Sequence, residues 1–588
     1  MLIAIAMVAQ LANIQLVHGD EYADRSIRQR ERTIELPASR GRVYDRNGDI
    51  LATSVDGAAI FVDPRQFATT DTMSVHRAAA LLAPHVPLDV ADIRERLTRP
   101  TQFAYLGRQL DWDVGQRVVE LGIPGVGMVR EPKRVYPTSG LVGQIIGFTG
   151  IDSQGLHGLE AQYDSILSGQ PGAVMLERAP GGLSIASGSR EVQPATPGND
   201  IVLTIDREIQ HVAAQAVEAT MKSTSAIAAT AVVMDAETFE ILAMVSLPSF
   251  DPNHRDQTDS ADWRNRAVTD VFEPGSSQKA LTFAAAIEEG IVGPHTPLSV
   301  ADRIAIADAE FTDIAPHPVQ QLSVTQILER SSNVGTIMVA RELGASRLDR
   351  YLRAFGYGAR TALGFPGESN GLLRPHESWW GTSLPTIAIG QGVAVTLAQL
   401  TTAYAIIAND GVALGPSIVR GTVGVDGRLD PVTSAAGERV ISANTAAIVR
   451  DMLIQAVEGT EATGNLAAIP GYRVGGKTGT ASKPNVDAPG YSTEYVATFV
   501  GMAPAHDPKL VVGVMIDEPT PIFGGVVAAP LFREIMSAAL AVRSISADDS
   551  AATLDVLIEQ AQSQAIIAAE QEGPGSDDVT GGASEQRQ

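Results

Sequence analysis

The stretch EPGSSQKALTFAAAIEEG, residues 273–290, constrains the fold more than any other part of the chain. From Ala280 to Ile287 it is apolar nearly all round, the pattern of a helix enclosed by protein rather than lying on a surface. Gly290 supplies a stop. A chain that contains such a helix must build other layers on every side of it. Yet the helix opens with a lysine, and the whole chain has only six: Lys133, Lys222, Lys279, Lys477, Lys483 and Lys509. Arginine does the surface work elsewhere, so a lysine at the mouth of a buried helix asks for a chemical reason.

Ser276 stands three residues before Lys279. If the helix begins near Ser276, Lys279 lies one turn along on the same face. Ser276 then meets the free backbone N–H groups and positive dipole end of the helix, which favour an oxyanion. A serine hydroxyl is a poor nucleophile until something takes its proton. A lysine can do so once its pKa falls, and both desolvation and a second nearby cation push it down. By chance alone, Ser-x-x-Lys arises about once in a chain of this size.

Two further segments add weight. In LERSSNVGTIMVARELG, from 328, Ser331-Ser332-Asn333 precedes a helical run, which also reads as an ordinary helix N-cap. In YRVGGKTGTASK, from 472, Lys477-Thr478-Gly479-Thr480 follows a β-like Tyr-Arg-Val and also reads as a glycine-rich hairpin. Lys-Thr-Gly is much the rarer by chance, because lysine makes up only about 1% of the chain.

The 588 residues exceed one ordinary core and suggest two to four domains. A hydrophobic fraction of 44% is globular. The net charge of −24 excludes nucleic acid as a natural partner. Without cysteine there is no disulfide, thiolate metal site or thiol nucleophile, and the ten histidines are scattered with no HExxH pairing. No metal and no cofactor is assigned.

The opening MLIAIAMVAQLANIQLV is 17 mostly apolar residues, at the short limit for a spanning helix. It lacks the basic region and cleavage site of a signal peptide. It reads as a membrane anchor over 1–18 that has lost its upstream cytoplasmic end, the alternative being a buried N-terminal helix. Residues 20–35 carry dense mixed charge and read as an exposed helix or stalk. Arg46-Asn47-Gly48-Asp49 reads as a hairpin turn. Residues 55–190 hold no chemical constellation. IVLTIDREIQHVAAQAVEATM, from 201, reads as a strand running into an amphipathic helix, and 228–246 as a hairpin about Ala236-Glu237-Thr238. A helix-rich block follows over 276–410, then two β-runs over 495–519. Strands at both ends with helices between suggest an α/β core whose sheet is closed by its last strands. The expected domains are the anchor (1–18), a non-catalytic domain (19–195), a catalytic domain (196–545) and a tail (546–588). The tail has nine acidic residues against one basic and reads as disordered.

Ser-x-x-Lys, then Ser-x-Asn, then Lys-Thr-Gly, about 55 and about 145 residues apart, resembles the signature of penicillin-binding proteins and serine β-lactamases. RGRVYDRNGDILA (40–52), KRVYPTSGLVGQIIGFTG (133–150) and the following GLHGLEAQYDSILSGQPG are similar to the pedestal domain of class B members. SSNVGTIMVARELGASRLDRYLRAFGYG and FVGMAPAHDPKLVVGVMIDEP most resemble the septal, cell-division subclass. The resemblance implies a multi-domain α/β protein. Its transpeptidase domain has a central antiparallel sheet and a helical subdomain, after an elongated α+β pedestal and a single membrane helix. It also implies roles. Ser276 is the acylated nucleophile and Lys279 its base. Ser331 shuttles a proton to the leaving amine, held by Asn333. Lys477 is the second cation and attracts the substrate carboxylate, which Thr478, Gly479 and Thr480 bind. The backbone N–H groups of Ser276 and Thr480 form the oxyanion hole.

The implied partners are peptidoglycan stem peptides ending in D-Ala-D-Ala, β-lactams, a SEDS-type membrane glycosyltransferase and other divisome proteins. The implied location is the cell membrane, single-pass, with the catalytic domain outside the cytoplasm. Two rivals stand. A β-lactamase or β-lactam sensor is disfavoured because no Leu-Asn pair occurs for a Glu-x-x-Leu-Asn deacylation motif. A non-catalytic divisome scaffold is disfavoured by the three intact motifs.

Overall fold

The computed structural model describes residues 31–68, 73–177, 190–432, 436–485 and 490–548, with isolated positions among the first eighteen. Apart from those positions the expected anchor lies outside the described residues, as does the acidic tail beyond 548. The end of the charged stretch, Glu31–Leu36, is a strand paired antiparallel with Gly172–Glu177, where a helix or stalk was expected.

The described residues form two compact units. The first contains Met1–Thr204, Phe250–Trp263 and Val419–Thr433; the second contains Ile205–Ser249, Arg264–Ile418 and the chain from Ser434.

In the first unit the expected hairpin joins β1 (Val43–Tyr44) to β2 (Ile50–Val62). The Asp45 carboxylate accepts the N–H groups of Asn47 and Asp49, each at 2.8 Å, and Gly48 takes φ +93°, so the turn is closed from within. The long strand β2 pairs antiparallel with both β3 (Ala104–Asp111) and β4 (Val126–Val135). Short helices cover this sheet and bury Ile60, Leu82, Ile93, Leu106 and Val118. β5 (Asp200–Leu203) pairs in parallel with β1.

A charged cluster also lies inside this unit. Glu160 is fully buried, and its two carboxylate oxygens accept Arg40 Nε and Arg134 Nε at 2.7 Å each. Arg40 reaches on to Asp164, also at 2.7 Å. Arg40, Arg134 and Glu160 come from three of the segments that resemble the class B pedestal, so those segments are held by one buried ion network.

The second unit is built on a five-stranded antiparallel sheet in the order β7-β6-β12-β11-β10. These strands are β6 (Ala228–Asp235), β7 (Ile241–Leu247), β10 (Gly475–Pro484), β11 (Tyr491–Ala503) and β12 (Leu510–Asp517). β6 and β12 are buried at nearly every position, so helices must cover both faces. On one face, α1 (Arg207–Ser223) and α7 (Gly524–Val542) pack Ile209, Val217, Leu531, Phe532 and Ile535 against Val233, Phe499 and Val514. On the other face lies α5 (Leu397–Ala408), buried along its whole length. It comes so close that a Cβ on Gly513 of β12 would sit 2.2 Å from Thr401 Oγ1.

Among the described residues, α7 is the helix long and apolar enough to cross a membrane, yet half of it is buried in the protein. Its apolar face belongs to this core. Between β7 and β10 come α2 (Lys279–Glu288), the hairpin of β8 (Arg303–Ile306) and β9 (Ala309–Thr312), and then α3 (Val324–Glu329) and α4 (Asn333–Leu343). After α5, helix α6 (Ala443–Glu458) leads towards β10. The block expected to be helix-rich therefore also holds four short strands over 297–323. They are too brief, and too exposed on one face, to stand out from loops in sequence.

Replacing Glu160 by alanine leaves two buried guanidinium groups without their carboxylate. We expect a loss of about 3–5 kcal/mol from the first unit's unfolding transition, read by chemical denaturation. A loss below about 1 kcal/mol would show that the network is solvated.

Candidate active site

The nucleophile segment starts as a single 3-10 turn, Gly275–Gln278, and becomes α-helix only at Lys279. The helix expected from Ser276 thus starts three residues later. Its tight first turn is pinned from several directions. Gly275 N–H donates to Gly390 O at 3.0 Å, and Tyr404 of α5 donates its hydroxyl to Ser277 O at 2.8 Å. Ser277 Oγ lies 3.1 Å from Thr498 Oγ1. Ser276, between the fixed residues, stays half-buried and lines a cleft of about 790 Å³.

Lys279 is fully buried. Its Nζ donates to Ser331 O at 2.5 Å, to Asn333 Oδ1 at 2.8 Å and to Ser331 Oγ at 3.3 Å. The chain makes this possible by ending α3 on a left-handed residue. Ser331 has φ +60°, uncommon for a residue with a side chain, and this turns both its carbonyl and its hydroxyl towards the amine. Ser332, the middle residue of the motif, is the N-cap of α4, its Oγ accepting Gly335 N–H at 3.0 Å. Capping therefore falls to Ser332, leaving Ser331 and Asn333 for the amine. Asn333 was expected to hold Ser331. Its amide instead bridges Lys279 and Thr312, donating Nδ2–H to Thr312 O at 2.8 Å.

Lys477 enters from β10, at the edge of the sheet. Tyr472-Arg473-Val474, read as β-like, precedes this strand and is not part of it. Lys477 is also fully buried, and its Nζ donates to Thr463 Oγ1 and Thr478 Oγ1 at 3.1 Å each. Strand alternation puts Thr478 and Thr480 on one face, and both line the cleft. Thr480 Oγ1 accepts Gly524 N–H at 3.0 Å, so its own hydroxyl proton is free to point at a ligand. Gly479 is present for what it lacks. A Cβ there would stand 2.2 Å from Thr498 Oγ1 and 2.7 Å from both Pro274 O and Ser277 Oγ. Its bare backbone lets β10 lie directly against the turn that carries Ser276.

Burial and then the nearby Lys477 hold Lys279 well below the ordinary lysine pKa, with Asp313 opposing them. Burial alone lowers Lys477 to about 7. Among the described residues neither amine has a carboxylate at ion-pair distance. With two amines buried near one another, the charge on Lys477 adds to burial in favouring the neutral form of Lys279.

Sequence reasoning missed Thr463, Asp313 and Thr312. Thr463 comes from the loop after α6, and the other two from the end of β9 and the residue after it. None sits in a rare local pattern, and only the folded chain brings them to the site.

A buried amine one turn from a cleft-facing serine, beside a second buried amine on an edge strand, defines the active-serine class of acyl-transfer folds. Two family models match this chain, the penicillin binding protein transpeptidase domain over residues 229–537 and the penicillin-binding protein dimerisation domain over 35–203. The chain is 35% identical to penicillin-binding protein PbpB of Mycolicibacterium smegmatis, over 91% of this chain and 88% of that protein. It is 34% identical to peptidoglycan D,D-transpeptidase FtsI of Escherichia coli, covering 93% and 91%. The crystal structure of penicillin binding protein 3 from Mycobacterium tuberculosis complexed with aztreonam aligns with a TM-score of 0.69 at 31% identity, covering 88% of this chain and 99% of that one. This chain belongs to the penicillin-binding protein family, with a dimerisation domain followed by a transpeptidase domain.

Gly479→Ala tests the close approach of β10. We expect the covalent labelling rate with a fluorescent penicillin to fall at least tenfold, since a displacement of about 1 Å at a reacting group costs up to about a hundredfold. The unfolding midpoint should move much less than the rate.

Proposed function

We propose that residues 196–545 catalyse D,D-transpeptidation of peptidoglycan stem peptides through an acyl-enzyme at Ser276, with residues 19–195 as a non-catalytic pedestal. The observation that carries this reading is Lys279: an amine with a depressed pKa, fully buried, in contact with Ser331 and Asn333, one turn from a serine on an open cleft.

The Ser276 hydroxyl oxygen attacks the carbonyl carbon of the penultimate D-alanine while its proton passes to Lys279 Nζ. The oxyanion faces the backbone N–H groups of Ser276 and Thr480. Collapse breaks the peptide C–N bond. The departing D-alanine nitrogen takes a proton relayed from Lys279 through the Ser331 hydroxyl. The amine of a second stem then attacks the ester, forms the crosslink and returns the serine its proton. The substrate carboxylate sits between the Lys477 ammonium and the hydroxyls of Thr478 and Thr480. A β-lactam follows the first half of this path, but its leaving nitrogen remains tethered, so the ester persists. The relatives named FtsI, PenA and PbpB support a septal, cell-division role. By the same resemblance, the N-terminal segment anchors the chain in the cell membrane with the catalytic part outside. There a SEDS-type glycosyltransferase and other divisome proteins are its partners.

Intact mass after exposure to penicillin should show one stable adduct on the wild type and none on Ser276→Ala. Lys279→Ala should acylate at least about a hundredfold more slowly, the usual worth of a general base. An adduct lost within minutes would instead mark a β-lactamase, and no adduct on folded wild type would leave the scaffold reading.

The two amines also set a pH profile. Lys279 works as the free base, so acylation rises with pH through its depressed pKa. Lys477 works as the cation, so carboxylate capture falls above about pH 7 in the free enzyme. A penicillin should therefore show a bell in its second-order acylation rate. Its methyl ester, which has no carboxylate to bind, should keep the rising limb and lose the falling one.

A further inference from the structure

We infer that Asp313 is a positioning residue for this acyl-transfer site, aiming the Asn333 carbonyl at Lys279, and that His317 steadies Asp313 and offsets its charge. The inference rests on the acyl-transfer reading above.

Asp313 directly follows β9, and four donors converge on its carboxylate. Oδ1 accepts the N–H groups of Asn333 at 2.6 Å and Val334 at 3.0 Å. Oδ2 accepts the Ser332 hydroxyl at 2.7 Å and His317 Nε2 at 3.1 Å. The start of α4 already has its own cap in Ser332, so capping alone does not call for a second carboxylate from a distant hairpin. Asp313 adds a fixed position for the backbone of residue 333. Thr312, one residue earlier, fixes the side chain of the same residue through its carbonyl. One dipeptide thus holds Asn333 at both ends. With Nδ2 committed to Thr312 O, only the amide oxygen can face Lys279. Turned over, the amide would set its oxygen against the Thr312 carbonyl and lose that bond. Phe311, Thr312 and Ile314 also line the cleft, so the segment that fixes Asn333 forms part of the cleft wall.

His317 completes the device. Its Nδ1 lies 2.8 Å from Pro318 O and its Nε2 faces Asp313, so both ring nitrogens meet acceptors. Only the imidazolium can donate from both. Asp313 and the more distant Asp302 are the acidic groups around it, and Asp302 is itself paired with Arg303. The hydrogen bond to Pro318, then Asp313, raises the His317 pKa. Asp313 is also the acidic group that works against the lowered pKa of Lys279, while Lys477 works for it. A positive His317 reduces that opposition. The site gains a carboxylate that orders Asn333, with its charge partly neutralised before it reaches the base.

Opposite charge effects of the two partners make the test. The acylation rate with a fluorescent penicillin is measured across pH for the full chain, Asp313→Asn and His317→Gln, with thermal unfolding recorded for each. Asp313→Asn removes the charge that favours the Lys279 ammonium, so its rising limb should move to lower pH by about half a unit. Its plateau should fall about tenfold as Asn333 loses its anchor. His317→Gln leaves the carboxylate uncompensated, so its limb should move to higher pH by a similar amount. A merely structural role would lower the plateau and leave both limbs in place. Limbs that stay put, or move in the same direction, would overturn the inference. If Asp313→Asn does not fold, His317→Gln alone decides: an unmoved limb there overturns it. A wild type that forms no adduct would bring down the acyl-transfer reading instead.

Discussion

Two primary amines buried near one another are each pushed towards the neutral form, and much of the second unit serves to enclose them. Lys279 and Lys477 are each fully buried, although lysine is among the residues least often hidden from water. Their burial requires an all-round apolar helix on one side and a strand of a covered sheet on the other. It also requires polar contacts that accept hydrogen bonds without bringing a full negative charge. The carbonyl of Ser331, the amide of Asn333 and the hydroxyls of Thr463 and Thr478 meet that need. A carboxylate in direct contact would favour the ordinary ammonium. The acidic group that acts on Lys279, Asp313, makes no direct contact with the amine and instead binds the Asn333 backbone and His317.

The architecture follows from this requirement. The five-stranded sheet is covered on both faces, so β10 can lie at its edge and still hold Lys477 in a dry setting. The backbones at Gly479 and Pro274–Ser277 approach closer than side chains would allow. That contact sets the serine turn directly against the strand that carries the second amine, without any flexible linker between them. The chemistry depends on distances set by backbone packing, so the protein positions its reacting groups before any substrate arrives.

The parts of this site that could be read from sequence are the parts that carry rare residues. Ser276, Lys279 and Lys477 stood out because six lysines in 588 residues make each one conspicuous. The strand pairs read at 228–246 and 495–519 were visible because buried strands are continuous apolar runs. The 3-10 start of the serine helix was not visible, since the same residues suit an α-turn. Nor could sequence tell that Asn333 faces Lys279 and Thr312 rather than Ser331. That choice depends on Thr312 and Asp313, which belong to a hairpin too short to show a strand pattern. Thr463 was hidden for the same reason: its partner lies 14 residues on, in another element.

The left-handed backbone at Ser331 has a consequence for how this chain can change over generations. In the proposed mechanism a β-lactam acylates Ser276, which favours any variant that loosens the site while sparing crosslinking. Position 331 offers little room for that. In that proposed mechanism its side chain keeps a hydroxyl for the proton relay, and its backbone holds φ +60°, where β-branched residues are strained. Threonine, the one other aliphatic alcohol, therefore meets the chemical demand and fails the conformational one. Neutral drift at this codon is close to closed, and escape routes must run through the residues around it.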